Sequence, residues 1–240
     1  VHLQVPADVA LRFYDASLVA SAPVLAAATN SPFLFGHRLW HETRVPLFEQ
    51  AVATGSGASA PADGRVSFGC GYLHDSIAEH FEDAVRRFPV LLPLLSDEQP
   101  SRFPHLRLHN GTLWHWNRPL IGFDDDGATH VRIEHRVLPA GPSLLDMVAN
   151  AALYVGLVSA LATLSRPVEA DLPFDAAQRN FYAAARDGLD AEIAWLDGRR
   201  RPVRALLLDE LLPMARQGLR EQGVDAGEIE RWIGIVEQRV

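Results

Sequence analysis

Residues 143–164 are apolar on nearly every side of a helix, and a segment of that kind either crosses a bilayer or forms the centre of a packed core. Asp146 and Asn150 point to the core. They stand four residues apart, one helical turn, and make a polar stripe that is costly in lipid but natural where a buried helix crosses behind an active site. The start is marked as well: Gly141-Pro142-Ser143 puts Pro in the first turn, and Ser143 with Asp146 forms a capping-box-like pair. A central buried helix is therefore expected, and no membrane partner.

With 240 residues, 48% of them hydrophobic and 22% charged, the chain can surround that helix with a core of one domain or one and a half. Cys70 is the only cysteine, so no disulfide framework or cysteine cluster exists; a reducing compartment, the cytoplasm, is expected. The net charge is -8, every one of the 22 basic residues is Arg, and no dense Arg patch is interleaved with aromatics, which argues against a nucleic-acid partner. Val1-His2-Leu3-Gln4-Val5 has neither a basic nor an apolar leader segment and does not begin with Met. It alternates like a strand, and we expect the protein to extend upstream.

Residues 7–29 read as one or two helices, with Pro23 as a kink or a new first turn and Asn30 as a stop. A helix-like stretch follows over about 38–53. Residues 54–64, rich in Gly, Ser and Ala without a hydrophobic period, read as a mobile surface loop. Residues 75–88 form an amphipathic helix, acidic early and Arg-rich late, ended by Pro89. Over 105–137 the period changes to two, giving three strands, and from Pro142 the chain reads as helical nearly to Val240.

Alternation in 130–137 sends Val131, Ile133, His135 and Val137 to one face and His130, Arg132, Glu134 and Arg136 to the other. A solvated outer face with ion pairs would give this pattern. So would a cleft in which a carboxylate holds a divalent cation and guanidinium groups grip phosphate oxygens, the equipment of phosphoryl transfer. Just upstream, a strand would place Thr112, Trp114, Trp116 and Arg118 on one face, a platform of two rings ending in a cation.

The run Arg132-Ile133-Glu134-His135-Arg136-Val137, followed by the apolar helix with Asp146 and Asn150, resembles the Glu-x-Arg strand and following helix of the glutamine synthetase and glutamate-cysteine ligase superfamily. It is more similar still to glutamate-cysteine ligase family 2, the bacterial carboxylate-amine ligases. In order along the chain, His2-Leu3-Gln4-Val5 resembles the end of that family's histidine-containing strand, and Thr29-Asn30-Ser31-Pro32-Phe33 its Ala-Asn-Ser-Pro-Phe signature. Trp116-Asn117-Arg118 is similar to its Trp-x-Asp-x-Arg region, with shorter spacing and Asn for Asp. The run from Asn180 through Arg186 to Gly188 resembles its Asn-x-Trp-x-Ala-x-Arg-x-Gly helix. Residues 31–40 depart from the family's usual continuation.

The resemblance implies that residues 1–240 are the C-terminal part of a carboxylate-amine ligase catalytic domain, 1–165 its sheet-and-helix part and 166–240 a helical C-terminal layer. The expected fold class is α+β: a curved antiparallel sheet with helices on its convex face, partially like the glutamine synthetase and guanido kinase catalytic domain. The implied reaction uses ATP and Mg2+. A glutamate-like carboxylate is phosphorylated, and an amine such as that of cysteine displaces phosphate from the acyl phosphate to give a γ-glutamyl amide. By position, His2 and Glu134 would be metal ligands, Arg136 and Arg118 would stabilise the phosphoryl group, and Asn30, Arg44 and Trp116 would bind substrate. Each has a structural alternative: a frayed terminal His2, Arg44 paired with Glu42 or Glu49, Asn30 as a helix C-cap, and packing or charge-balance roles for Asn180 and Arg186. The expected partners are small-molecule substrates, with a homo-oligomer compatible with the C-terminal layer. A non-catalytic binding or assembly module on the same fold is the alternative function. His37 with His41 at helical spacing, and His105 with His109 on one strand face, suggest zinc, but neither pair belongs to a recognised hydrolase motif.

Overall fold

The alternating segments at the start of the chain and around Glu134 form strands, and the apolar segment forms the helix beneath them. The computed structural model describes residues 1–53 and 64–240. Strand β1 (His2–Val5) leads into α1 (Ala10–Ala28), a single helix with Pro23 inside it. A short hairpin, β2 (Phe33–Leu34) and β3 (His37–Arg38), precedes α2 (Arg44–Ala51); α3 (Ala78–Arg87) and α4 (Pro104–Gly111) follow. Strands β4 (Asn117–Phe123) and β5 (Thr129–His135) then lead to α5 (Leu144–Ala162) and α6 (Phe174–Asp187). A second hairpin, β6 (Glu192–Ala194) and β7 (Arg200–Pro202), precedes α7 (Val203–Leu206), α8 (Leu212–Glu221) and α9 (Ala226–Arg239).

The main sheet is antiparallel, with order β1-β5-β4. Val5, Val131, Ile133 and Val137 turn one face inward, where they join a continuous core with Leu18 and Leu25 of α1, Leu153 and Leu157 of α5, and Ile229, Ile233 and Val236 of α9. From Ala149 onward α5 is packed against α1, α8 and α9, whereas its first turns leave Leu144, Leu145, Met147 and Val148 exposed. By length and composition this helix could cross a membrane; here its C-terminal half is core. Its capping box forms as expected, the Asp146 N–H donating to Ser143 Oγ at 3.2 Å.

Helices α5 and α8 touch backbone to backbone. A Cβ added at Gly156 would lie 2.3 Å from the Ala215 carbonyl oxygen, and one at Gly218 1.9 Å from the Gly156 carbonyl oxygen. Between α7 and α8 the helix carries one π turn, Leu207–Leu211, from which Glu210 accepts the Trp195 indole N–H at 2.9 Å and Arg201 at 2.7 Å.

Several expectations are corrected. The helix expected over about 38–53 covers only Arg44–Ala51, because the chain first turns through Phe35 and Gly36, both at positive φ, to make the hairpin. Residues 104–111 are helical rather than extended: Pro104 opens the helix, so only two strands form between 105 and 137, and His105 and His109 lie on helix α4. The β6–β7 hairpin interrupts what read as continuous helix. Asp146 and Asn150 both accept hydrogen bonds from Arg239 and tie α5 to α9. The loop expected at 54–64 lies, except for Gly64, outside the described residues.

Candidate active site

Register places three of the expected site residues in one row across the sheet. His2 on β1 and Arg118 on β4 each face Glu134 on β5. Cross-strand partners share a face, so the three side chains emerge together on the side away from α1 and α5. Arg118 donates from Nε at 2.9 Å to Glu134 Oε2, with its Nη2 2.6 Å from the same oxygen. Arg136 Nη2 lies 3.0 Å from Oε1, and His2 Nε2 3.5 Å from it. The Glu134 side chain is 14% exposed and that of Arg118 9%.

Burial alone would raise the Glu134 carboxyl, but the charges of Arg118 and Arg136 and their hydrogen bonds outweigh it, leaving the pKa below the usual glutamate value. His2 moves down: burial disfavours its cation more than Glu134 favours it, so its contact with Glu134 is that of a neutral imidazole near pH 7. Burial likewise lowers Arg118 against the pull of Glu134.

The arginines on this face differ in what they have left to give. Arg118 spends its third nitrogen on the end of α4 and the chain just after it, Nη1 donating to the Asn110 and Leu113 carbonyls at 3.0 and 2.8 Å. Its position is thus fixed on both sides. Arg136 and Arg132 each keep a buried Nε with no hydrogen-bond partner. Arg132, two residues before Glu134 on the same face, borders a cavity of about 360 Å3 with Arg107, Asn110 and Leu120. Glu98 lines the same cavity and pairs with Arg107 at 3.5 Å, so it is the unpaired Nε donors of Arg132 and Arg136, rather than net charge, that fit a phosphate or carboxylate anion.

A metal centre built from these residues fits less well. Both Glu134 oxygens face cationic donors or His2, and the described residues contain no group of three or more His, Cys, Asp or Glu side chains that could hold a metal ion. Glu134 and His2 are together, as expected, without the remainder of a cation site.

A second cluster lies at the end of β5. Arg44 donates from Nη1 and Nη2 to the carbonyls of Arg136 and Val137, at 3.3 and 2.6 Å. Its guanidinium carbon stands 5.1 Å from the Trp116 ring centroid. Asn30 donates from Nδ2 to the Ala140 carbonyl at 2.9 Å. Asn30 and Arg44 thus converge on the segment that follows Glu134. Trp116 is fully buried just before β4, its indole N–H donating to Glu49 Oε1 at 2.8 Å; the expected two-ring platform does not form. Glu49 also accepts the Tyr182 hydroxyl at 2.9 Å, and burial raises its pKa against these two bonds. Asn180 has the structural role given as its alternative, pairing through both amide atoms with the backbone of Ala194.

Two residues escaped sequence reasoning as site components. Arg132 was visible on the charged face but had no assigned role. Glu42 lies in the irregular turn before α2 and entered the sequence reading only as an alternative partner for Arg44; that pairing forms, Arg44 Nε to Glu42 Oε1 at 3.0 Å, and the contacts with Asn30 and Ser31 add to it.

The chain is a mixed α/β protein whose small antiparallel sheet presents Glu134 between arginines. The chain belongs to glutamate-cysteine ligase family 2 (GCS2), whose family model matches residues 1–240. Membership implies ligase activity in general. None of the curated proteins compared with the chain matches it.

Proposed function

We propose that this chain carries the phosphate-handling face of an ATP-dependent carboxylate-amine ligase that makes a γ-glutamyl amide. The observation that carries the proposal is the row His2, Glu134 and Arg118, flanked on the same strand face by Arg132 and Arg136 with unpaired donors. In the first step a carboxylate oxygen of a glutamate-like acid attacks the γ-phosphorus of ATP, and ADP leaves. In the second the acceptor amine, having lost a proton, attacks the acyl carbon and inorganic phosphate leaves. Negative charge grows on the transferred group's oxygens, and fixed guanidinium donors stabilise that charge without reorganising. Arg136 and Arg132 face the phosphoryl oxygens. Glu134, held by Arg118 from the side, keeps Arg136 oriented and its charge partly balanced when no nucleotide is bound. Magnesium, expected from the family, is assigned no step because these residues do not complete a site for it.

Phosphate release from ATP tests the reading, measured with magnesium, glutamate and a panel of amino acids including cysteine, on this chain and on a form carrying any residues that precede it in the full-length protein. Release that requires both amino acids is the expected result and names the acceptor. Glu134→Gln should lower it about a hundredfold, since it removes the charged anchor that orients Arg136 while Arg118 stays held by the Asn110 and Leu113 carbonyls. No release from either form, with no nucleotide binding by calorimetry, would leave the fold as a binding or assembly module.

A further inference from the structure

Glu42 is fully buried, and both of its oxygens are occupied. Oε2 accepts the Asn30 backbone N–H at 3.0 Å; Oε1 accepts the Ser31 hydroxyl at 2.6 Å and Arg44 Nε at 3.0 Å. Its backbone is tied as firmly. The Glu42 N–H donates to the Ala185 carbonyl at 2.8 Å, and the neighbouring His41 N–H to the Arg186 carbonyl at 3.1 Å, both in the last turn of α6. Arg44 extends the connection, its two remaining nitrogens bonding the carbonyls of Arg136 and Val137. One carboxylate thus joins the Asn30–Ser31 loop, the end of α6 and, through Arg44, the backbone of Arg136 and Val137 just past β5.

We propose that Glu42 is a positioning residue for the ligase reaction, setting through Arg44 the backbone from which the Arg136 side chain reaches the phosphoryl group; this rests on the ligase reading above. The Arg44 fork fixes two successive carbonyls, and so the direction in which the strand presents Arg136. The Arg44 side chain is one third exposed, so without a buried carboxylate on Nε it has water as an alternative partner and the fork loosens. Catalysis by fixed donors is sensitive to displacements of about 1 Å, whereas ground-state binding of a flexible nucleotide is much less so. The loss therefore falls on kcat.

The test compares steady-state phosphate release by the wild type, Glu42→Gln, Arg44→Gln and the double variant, with a thermal melt for each. The expected result is a kcat about tenfold or more below wild type for each single variant, with the KM for ATP within about twofold. The double variant should be no worse than the weaker single, because both act through one link. Glu42→Asp, which keeps the charge on a shorter arm, should recover part of the loss. Wild-type kcat in folded Glu42→Gln, or losses that multiply in the double variant, would overturn the proposal. If Glu42→Gln does not fold, Arg44→Gln decides alone, and wild-type kcat in that variant overturns it. A wild type without turnover would instead defeat the ligase reading itself, and this proposal with it.

Discussion

Asp15 carries a carboxyl that the fold removes from water. Oδ1 accepts the Leu73 N–H at 3.1 Å, while Oδ2 is buried without a partner. Burial pushes its pKa up to about 8, against the Leu73 hydrogen bond, and Glu169 and Glu79 add to the rise. The folded protein therefore holds a proton here that the unfolded chain releases near pH 4. Stability from this group is complete below about pH 4 and is lost progressively as pH rises to about 8. Asp15→Asn should raise the melting temperature at pH 7, by the equivalent of a few kcal/mol at most, and flatten the decline between pH 5 and pH 8. Melts at several pH values would show it; an unchanged slope would mean Asp15 is not the source. At this scale the sequence was legible where a period exposed it. Alternation alone placed Glu134, Arg132 and Arg136 on one face. It could not place Trp116 in the core or show Glu42 as a hub, because both lie in irregular chain whose path is set by distant partners.

Helices declared themselves where a helical period ran long, as in α1 and α3, and most clearly in α5, where a Ser143 cap also marked the start. Residues 104–111 did not. His105, Arg107 and His109 alternate with Leu106 and Leu108 as a strand would, and a proline at the first helical position decided the matter. The β6–β7 hairpin is equally faint, three residues on each side with no apolar run. The contact between α5 and α8 was also hidden, since a glycine in a helix reads only as a weak point until its neighbour is known. With Gly156 and Gly218 facing each other, a methyl group on either collides with backbone, which cannot move aside as a side chain would. Gly218→Ala should therefore destabilise the protein by about 3 kcal/mol, although alanine is the better helix former. Urea denaturation would measure this, and a neutral or stabilised variant would mean the helices separate freely.

Among the described residues the main core runs from Val5 in the first strand to Val236 in the last helix, with a smaller cluster of Ala84, Phe88 and Leu113 beside it. The C-terminal helices, expected as a distinct layer, contribute Ile229, Ile233 and Val236 to the same cluster that holds Ile133 beneath Glu134. Their removal would bare the side of α5 that faces α8 and α9. Calorimetry of the full chain should accordingly give a single transition, and a chain ending at Leu211 should lose it and aggregate. Two separable transitions would show that the helices melt apart from the sheet.

The π turn at Leu207–Leu211 sets the angular phase of everything that follows it. A π turn holds one residue more than the α turn it replaces, and one residue is about 100° of rotation. Deleting a residue there would let the helix close into unbroken α form while turning α8 about its own axis, carrying Gly218 away from Gly156 and presenting a larger side chain in its place. That extra residue works as an indexing tooth: it fixes which stripe of α8 meets the central helix, and so how closely the two can approach.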